Sequence, residues 1–210
     1  VFFVDEKGEY IEGYYLVALL VDYMLSSSSN PTNETIVYDT RYFWAIQDVV
    51  KKYGAKSVQS KVGHVNLKKL MREHNALFSM EGSGHSFYKS TNFTESSMLT
   101  TLIVLHLIST KGPLSEQIEK YKEKYPVSGE INFIVEDPLP ILAQVKEKYS
   151  FGKFKEFDGL NVELDTWRFT LRSSNTQSLL RLSLEAETKE LVDQKVLELR
   201  SMIHGTEVDY

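Results

Sequence analysis

Three short polar segments hold the side chains best suited to chemistry. Glu81-Gly82-Ser83-Gly84-His85 sets a carboxylate, a hydroxyl and an imidazole in one loop. Glycines on both sides of the serine let the backbone fold tightly and approach a ligand closely. The side chains supply an acceptor, a two-way hydroxyl and a titratable ring. Neighbouring sugar hydroxyls need that mixture, because each both donates and accepts. A plain polar hairpin turn has the same composition, and both readings stand. A serine-hydrolase elbow is excluded, since its glycines lie two residues either side of the serine.

Arg172-Ser173-Ser174-Asn175-Thr176 offers a guanidinium, hydroxyls, an amide and successive N–H groups. That set suits a phosphate dianion held at a turn, and the arginine fork meets two phosphate oxygens at once. Ser-Asn-Thr is also ordinary turn composition, so a solvated hairpin is the alternative. In Lys61-Val62-Gly63-His64 the histidine opens a helical pattern. There the helix dipole and unpaired N–H groups favour an anion, unless His64 simply caps the helix. Arg41 comes two residues after a strand ending at Asp39, at a carboxyl end where α/β proteins bind ligands.

Periodicity gives the scaffold beneath these segments. An apolar helix is predicted over 14–25, then strands over 35–39 and 57–60 alternating with helices over 43–53 and 65–74. Short strands over 76–80 and 86–88 flank the glycine-rich loop. The 98–108 stretch is apolar nearly all round, which predicts a buried helix with His106 and Met98 inside it. Alternation of this kind indicates an α/β domain, a mixed sheet flanked by helices. After the charged 115–124 segment, Pro126, Ser128 and Gly129 form a plausible linker. The remainder of the chain is strand-rich, with strands over 130–135, 160–164, 167–171 and 179–186 and helices near 141–145 and 192–203. Short links between strands give an α+β domain, an antiparallel sheet covered by helices. Residues 1–11 read as a hairpin turning near Gly8.

Composition narrows the function classes. The 210 residues are 42% hydrophobic and 25% charged with a formal charge of −5, which excludes wholesale disorder and argues against a nucleic-acid partner. Absence of cysteine removes disulfides, thiolate metal sites and cysteine nucleophiles together. No apolar run reaches the ~20 residues of a membrane span, and no secretion signal is recognisable, so a cytoplasmic location is the default. The five histidines (64, 74, 85, 106 and 204) lack metal-ligand spacing, and neither common phosphate-binding glycine motif occurs. No metal ligands are therefore assigned.

Ile36-Val37-Tyr38-Asp39 with Arg41, then Lys61–His64, Glu81–His85 and Arg172–Thr176, resemble the α-D-phosphohexomutase superfamily, in its phosphomannomutase/phosphoglucomutase branch. The order and spacings agree over nearly the whole chain. Asp158-Gly159 with Trp167 ahead of the arginine loop is also similar to the family's last domain. The sequence departs from the family at Met80 and Gly82, where glycine and methionine are usual, and at Tyr14, Glu95-Ser96-Ser97 and Ser178.

The resemblance implies the C-terminal part of a four-domain enzyme. Residues 1–13 would be the last hairpin of a metal-binding domain, 14–124 an α/β sugar-binding domain and 125–210 an α+β phosphate-binding domain. The family's phosphoserine loop and its Asp-Gly-Asp-x-Asp-Arg magnesium loop do not occur in the sequence. By carry-over, Glu81 and Ser83 would hold hexose hydroxyls and His85 would support the loop or the sugar. Arg172, Ser174, Asn175 and Thr176 would grip the phosphate that is not transferred. Arg41 and His64 would position the sugar and assist proton transfer. The implied activity is that of an isomerase exchanging hexose 1-phosphate and hexose 6-phosphate through a bisphosphate, with magnesium and a hexose 1,6-bisphosphate activator. The implied partners are the hexose phosphate and the N-terminal domains of the same protein, with no nucleic acid or membrane. Alone, these residues are expected to bind without turnover. The alternatives are a stand-alone sugar-phosphate binding or regulatory module and an unrelated α/β interaction domain.

Overall fold

A computed structural model describes residues 1–41, 43–174 and 178–208. The chain divides into two compact units, Val1–Lys122 and Glu123–Tyr210.

The first unit is built on a four-stranded sheet of order β2-β1-β3-β4. Strand β1 (Thr35–Asp39) is buried along its whole length, as β-branched residues in a central parallel strand should be. It pairs in parallel with β2 (Lys56–Ser60) and β3 (Phe78–Met80), while β4 (Ser86–Tyr88) runs antiparallel to β3. Helix α1 (Gly13–Ser26) is apolar almost throughout and largely buried. The buried Tyr14 OH accepts from the Ala45 N–H at 3.1 Å, in the first turn of α2 (Trp44–Lys52), which has no side-chain cap of its own. Helix α3 (His64–Glu73) presses Leu67 and Met71 against Val37 of β1 and Phe87 of β4.

Helix α4 (Ser97–Lys111) corrects the sequence expectation of an element buried all round. Ile103, Val104 and Leu107 are buried, but Met98, Leu102 and Leu105 are 71%, 55% and 53% exposed. His106 is exposed too, its ring edge-on to Tyr23. Periodicity cannot say how many sides of a helix meet a partner; α4 meets one. It is fastened there by Thr100 Oγ1, which bonds Tyr88 OH at 2.7 Å and also Ser86 Oγ. The N-terminal hairpin is shorter than predicted, a single bridge between Val4 and Tyr10. Its tip is tied to α5 (Leu114–Lys124), where the Glu6 carboxylate accepts from the Ser115 N–H and hydroxyl.

The second unit is a six-stranded antiparallel sheet of order β10-β5-β9-β8-β7-β6. Its strands are β5 (Val127–Ile134), β6 (Lys153–Glu156), β7 (Leu160–Glu163), β8 (Trp167–Ser173), β9 (Leu179–Ala186) and β10 (Thr206–Val208). Ser128 and Gly129 lie inside β5 at a break in its register with β9, so they form a bulge rather than the expected linker. One sheet face carries Trp167, Phe169, Leu171, Leu180, Leu182 and Leu184. Helices α6 (Pro138–Lys148) and α7 (Lys189–Met202) cover it with Ile141, Val145, Val192 and Leu199. The opposite face is polar. Among the described residues, no helix of either unit is long and apolar enough to cross a membrane.

Helices α6 and α7 are joined at their rim by Glu198. Its carboxylate accepts from Tyr149 OH at 2.9 Å and pairs with Lys148 and Lys195 at 2.8 and 2.7 Å. Desolvation pushes the Glu198 carboxyl up, but the bonds from Lys148, Lys195 and Tyr149 outweigh it and hold the pKa at about 2 against an ordinary 4.5. Burial, then the hydrogen bond to Glu198 and its charge, push the Tyr149 hydroxyl well above its usual range. A depressed carboxyl stabilises the fold above its unfolded pKa, and that stability is lost as pH falls through the folded one. Glu198→Gln is therefore expected to cost about 1–2 kcal/mol at pH 7. In urea titrations the gap from the parent should narrow below pH 4.5 and close near pH 2. A gap independent of pH would refute the assignment.

Candidate functional site

Parallel pairing brings the carboxyl ends of β1, β2 and β3 to one edge of the first unit's sheet. The three polar segments of that unit leave from these ends: Arg41 after β1, Lys61–His64 after β2 and Glu81–His85 after β3. The chain leaves β1 toward β2 on one side and β3 toward β4 on the other. Divergence of this kind opens a crevice between neighbouring strand ends, the usual ligand position in open α/β sheets.

Arg41 is held rather than loose. Its Nη2 meets Asp39 Oδ2 at 2.7 Å and its Nε meets Oδ1 at 3.2 Å, while the Arg41 N–H also donates to Oδ1 at 2.9 Å. Both residues are buried, Asp39 at 1% and Arg41 at 8% exposure. A fork-on-carboxylate contact fixes the guanidinium plane, so Arg41 is held in one orientation just beyond the carboxyl end of β1. The Asp-x-Arg spacing was visible in the sequence; the clamp was not. His64 is the exposed first residue of α3.

The glycine-rich loop closes on itself through Glu81 N–H to His85 O at 2.8 Å and Gly84 N–H to Glu81 O at 2.9 Å. Glu81 is buried, and its Oε2 accepts from the exposed Ser83 hydroxyl at 3.1 Å. His85 is exposed with Nδ1 2.8 Å from Glu95 Oε1. An ionised carboxylate only accepts, so Nδ1 donates in that contact and Nε2 is left for a ligand hydroxyl. Glu95, unassigned from the sequence, is thus the residue that orients His85. It sits just ahead of α4, in a bridge with Phe87.

Two backbone contacts fix the loop from outside. A Cβ on Gly84, whose φ is +86°, would lie 2.3 Å from the Val1 carbonyl oxygen. A Cβ on Gly13 would lie 2.5 Å from the carbonyl oxygen of Gly82. The N-terminal hairpin and the start of α1 are therefore pressed onto the loop with no room for a side chain.

In the second unit, Arg172 lies near the end of β8 and Ser174 just beyond it, with its N–H donating to Leu179 O at 2.8 Å. Asn175 and Thr176 fall outside the described residues. Arg172 Nη2 is 3.6 Å from Glu130 Oε2, and Arg181 Nη1 is 3.7 Å from the other oxygen of the same carboxylate. The Asp158-Gly159 turn supports Arg172 from below. A Cβ on Gly159 would meet the Leu171 oxygen at 2.5 Å and the Arg172 Cα at 2.9 Å.

The family pattern described as "Phosphoglucomutase/phosphomannomutase, alpha/beta/alpha domain III" matches residues 12–125, and that for the family's C-terminal domain matches residues 130–201. The chain belongs to the phosphoglucomutase/phosphomannomutase family. A phosphomannomutase of Methanocaldococcus jannaschii is 36% identical over 200 residues, 95% of this chain and 44% of that protein. One from Vibrio cholerae is 36% identical over 212 residues, 99% of this chain and 45% of that protein. This family member thus spans less than half the length of these relatives. In fold it is similar to a phosphoglucomutase/phosphomannomutase family protein of Burkholderia thailandensis. That likeness has a TM-score of 0.79 at 20% identity, covering 98% of this chain and 45% of the other.

Proposed function

We propose that this chain supplies the sugar-binding and phosphate-binding loops of a phosphohexomutase. The enzyme would interconvert hexose 1-phosphate and hexose 6-phosphate, in the cytoplasm, through a bisphosphorylated sugar. Support comes from the departure of Arg41, His64 and the Glu81–His85 loop from the carboxyl ends of neighbouring strands at one edge of the sheet, in a chain matched in sequence to two consecutive mutase domains. Glu81 and Ser83 would hold hexose hydroxyls, with His85 fixed by Glu95. Clamped Arg41 and exposed His64 would position the sugar and carry protons. Arg172 and Ser174, with Asn175 and Thr176, would hold the phosphate that stays on the sugar. Phosphoryl transfer is carried by positioning and charge neutralisation, which is the work these groups can do. The domain limits 14–124 and 125–210 belong to the same proposal.

Magnesium and a hexose 1,6-bisphosphate activator belong to the same proposal for the full-length enzyme. Among the described residues no three His, Asp or Glu side chains come together to hold one, so no step is assigned to magnesium in these residues.

Calorimetric titration of glucose 1-phosphate and mannose 1-phosphate into the chain tests the proposal. Weak binding is expected, together with at least a tenfold loss in Arg172→Ala, roughly what one charged hydrogen-bonding group contributes. No binding, or equal binding by both proteins, would overturn the phosphate assignment.

A further inference from the structure

We propose that Trp44 is the apolar wall of the sugar site, the surface on which the hexose ring stacks. The inference rests on the assignment of the first unit to sugar binding and deepens it. The groups assigned there, Arg41, His64, Glu81, Ser83 and His85, are all polar, and none of them suits the C–H face of a pyranose. Ligand pockets are lined mainly by apolar and aromatic groups, with a few polar ones fixing orientation.

Trp44 is the first residue of α2. Residues 40–43 alone separate it from the end of β1. The start of α2 therefore lies at the carboxyl edge of the sheet, the edge from which Arg41, His64 and the Glu81–His85 loop also depart. Side chains of an α-helix tilt toward its N-terminus, so Trp44 leans past the end of its helix toward that edge.

Core packing does not account for an indole in this place. The inward face of α2 carries Ala45, Ile46, Val49 and Val50, all buried. At helical spacing Trp44 shares its row with Asp48 and Lys51, and both of these are exposed. Trp44 is itself partly exposed, a large aromatic at the head of a polar row.

Its setting is fixed on both sides. Tyr14 OH accepts from the Ala45 N–H at 3.1 Å. The Phe43 ring stands edge-on to Tyr38 with centroids 5.9 Å apart, and Tyr38 OH accepts from Gln47 Nε2 of α2 at 3.0 Å. A site on a helix held this way is preorganised. An indole adds a broad apolar face whose negative quadrupole attracts the C–H bonds of a sugar ring.

The chain holds two tryptophans, Trp44 and Trp167, the second buried in the core of the second unit. Their indole N–H resonances, assigned through Trp44→Phe, are followed by NMR as glucose 1-phosphate or inorganic phosphate is added. The Trp44 signal is expected to shift with the sugar phosphate and to stay in place with phosphate alone. Trp44→Ala should weaken glucose 1-phosphate binding about tenfold, and Trp44→Phe, which keeps an aromatic face, by no more than about threefold. Both variants should bind inorganic phosphate as the parent does; equal losses for the two ligands would mean a structural role and overturn the inference. If Glu81→Gln weakens glucose 1-phosphate binding while Trp44→Ala binds as the parent does, the inference fails and the sugar assignment of the first unit stands. If neither variant differs from the parent, or the parent does not bind, both fail. If Trp44→Ala does not fold, a parent Trp44 signal unmoved at saturating glucose 1-phosphate overturns the inference.

Discussion

Replacing Arg168 by alanine is expected to destabilise the second unit by about 3–5 kcal/mol, the cost of leaving one partner of a buried ion pair uncompensated. Arg168 and Glu185 face each other in register across β8 and β9, at 3% and 1% exposure, with Nη1 2.7 Å from Oε2. The contact continues sideways. Arg168 Nη2 donates to Thr170 Oγ1 at 3.1 Å, and Thr170 donates to Asn161 Oδ1 at 2.8 Å. Asn161 Nδ2 donates in turn to Phe157 O at 2.8 Å, within the turn that supports Arg172. Urea unfolding monitored by Trp167 fluorescence measures the loss. The double variant Arg168→Met with Glu185→Leu should recover most of it, because apolar groups of similar volume replace buried pairs at little cost. A loss below about 1 kcal/mol in Arg168→Ala would mean that the pair behaves as a surface one. Because the network ends at the turn under Arg172, weaker glucose 1-phosphate binding should accompany the lost stability.

Gly84→Ala should be nearly as damaging in the first unit. A left-handed backbone costs an L-residue about 1–2 kcal/mol, and forcing a methyl into filled space adds about 1–3 kcal/mol. Both apply at Gly84, with φ at +86° and the Val1 oxygen 2.3 Å from the new carbon. Gly8 is the control that separates them: its φ is +85°, but nothing lies within 4 Å of a Cβ there. Thermal unfolding should therefore show a clearly larger loss for Gly84→Ala than for Gly8→Ala. Equal losses would mean that Val1 does not press on the loop. Since Glu81 and Ser83 share that loop, sugar-phosphate binding should fall in the first variant and persist in the second.

Most of the fold was legible in the sequence because its signals are local. Strand β1 was predicted to the residue, since Thr-Ile-Val-Tyr between polar stretches has little else to become. Strands β6 and β10 were missed. Lys153–Glu156 and Thr206–Val208 are short, polar and mostly exposed, and they are strands only because a neighbour offers them a ladder. The bulge at Ser128–Gly129 was misread because turn-forming residues mean the same thing locally in a linker and in a broken register.

The site divides along the same line. Each polar segment could be named from residue types. Their placement at one sheet edge could not, because it depends on a strand order that places β1 between β2 and β3. Glu95 on His85 and Asp39 around Arg41 required tertiary placement as well. Likewise, the pairing of Arg172 with Arg181 comes from a hairpin register to which the intervening residues gave no clue.

The six-stranded sheet ends in β6 on one side and β10 on the other. The outermost strand on the first side is Lys-Phe-Lys-Glu, three of its four residues charged. A charged rim offers a poor template to a foreign backbone. Self-association by lateral strand addition is thus disfavoured at the β6 border.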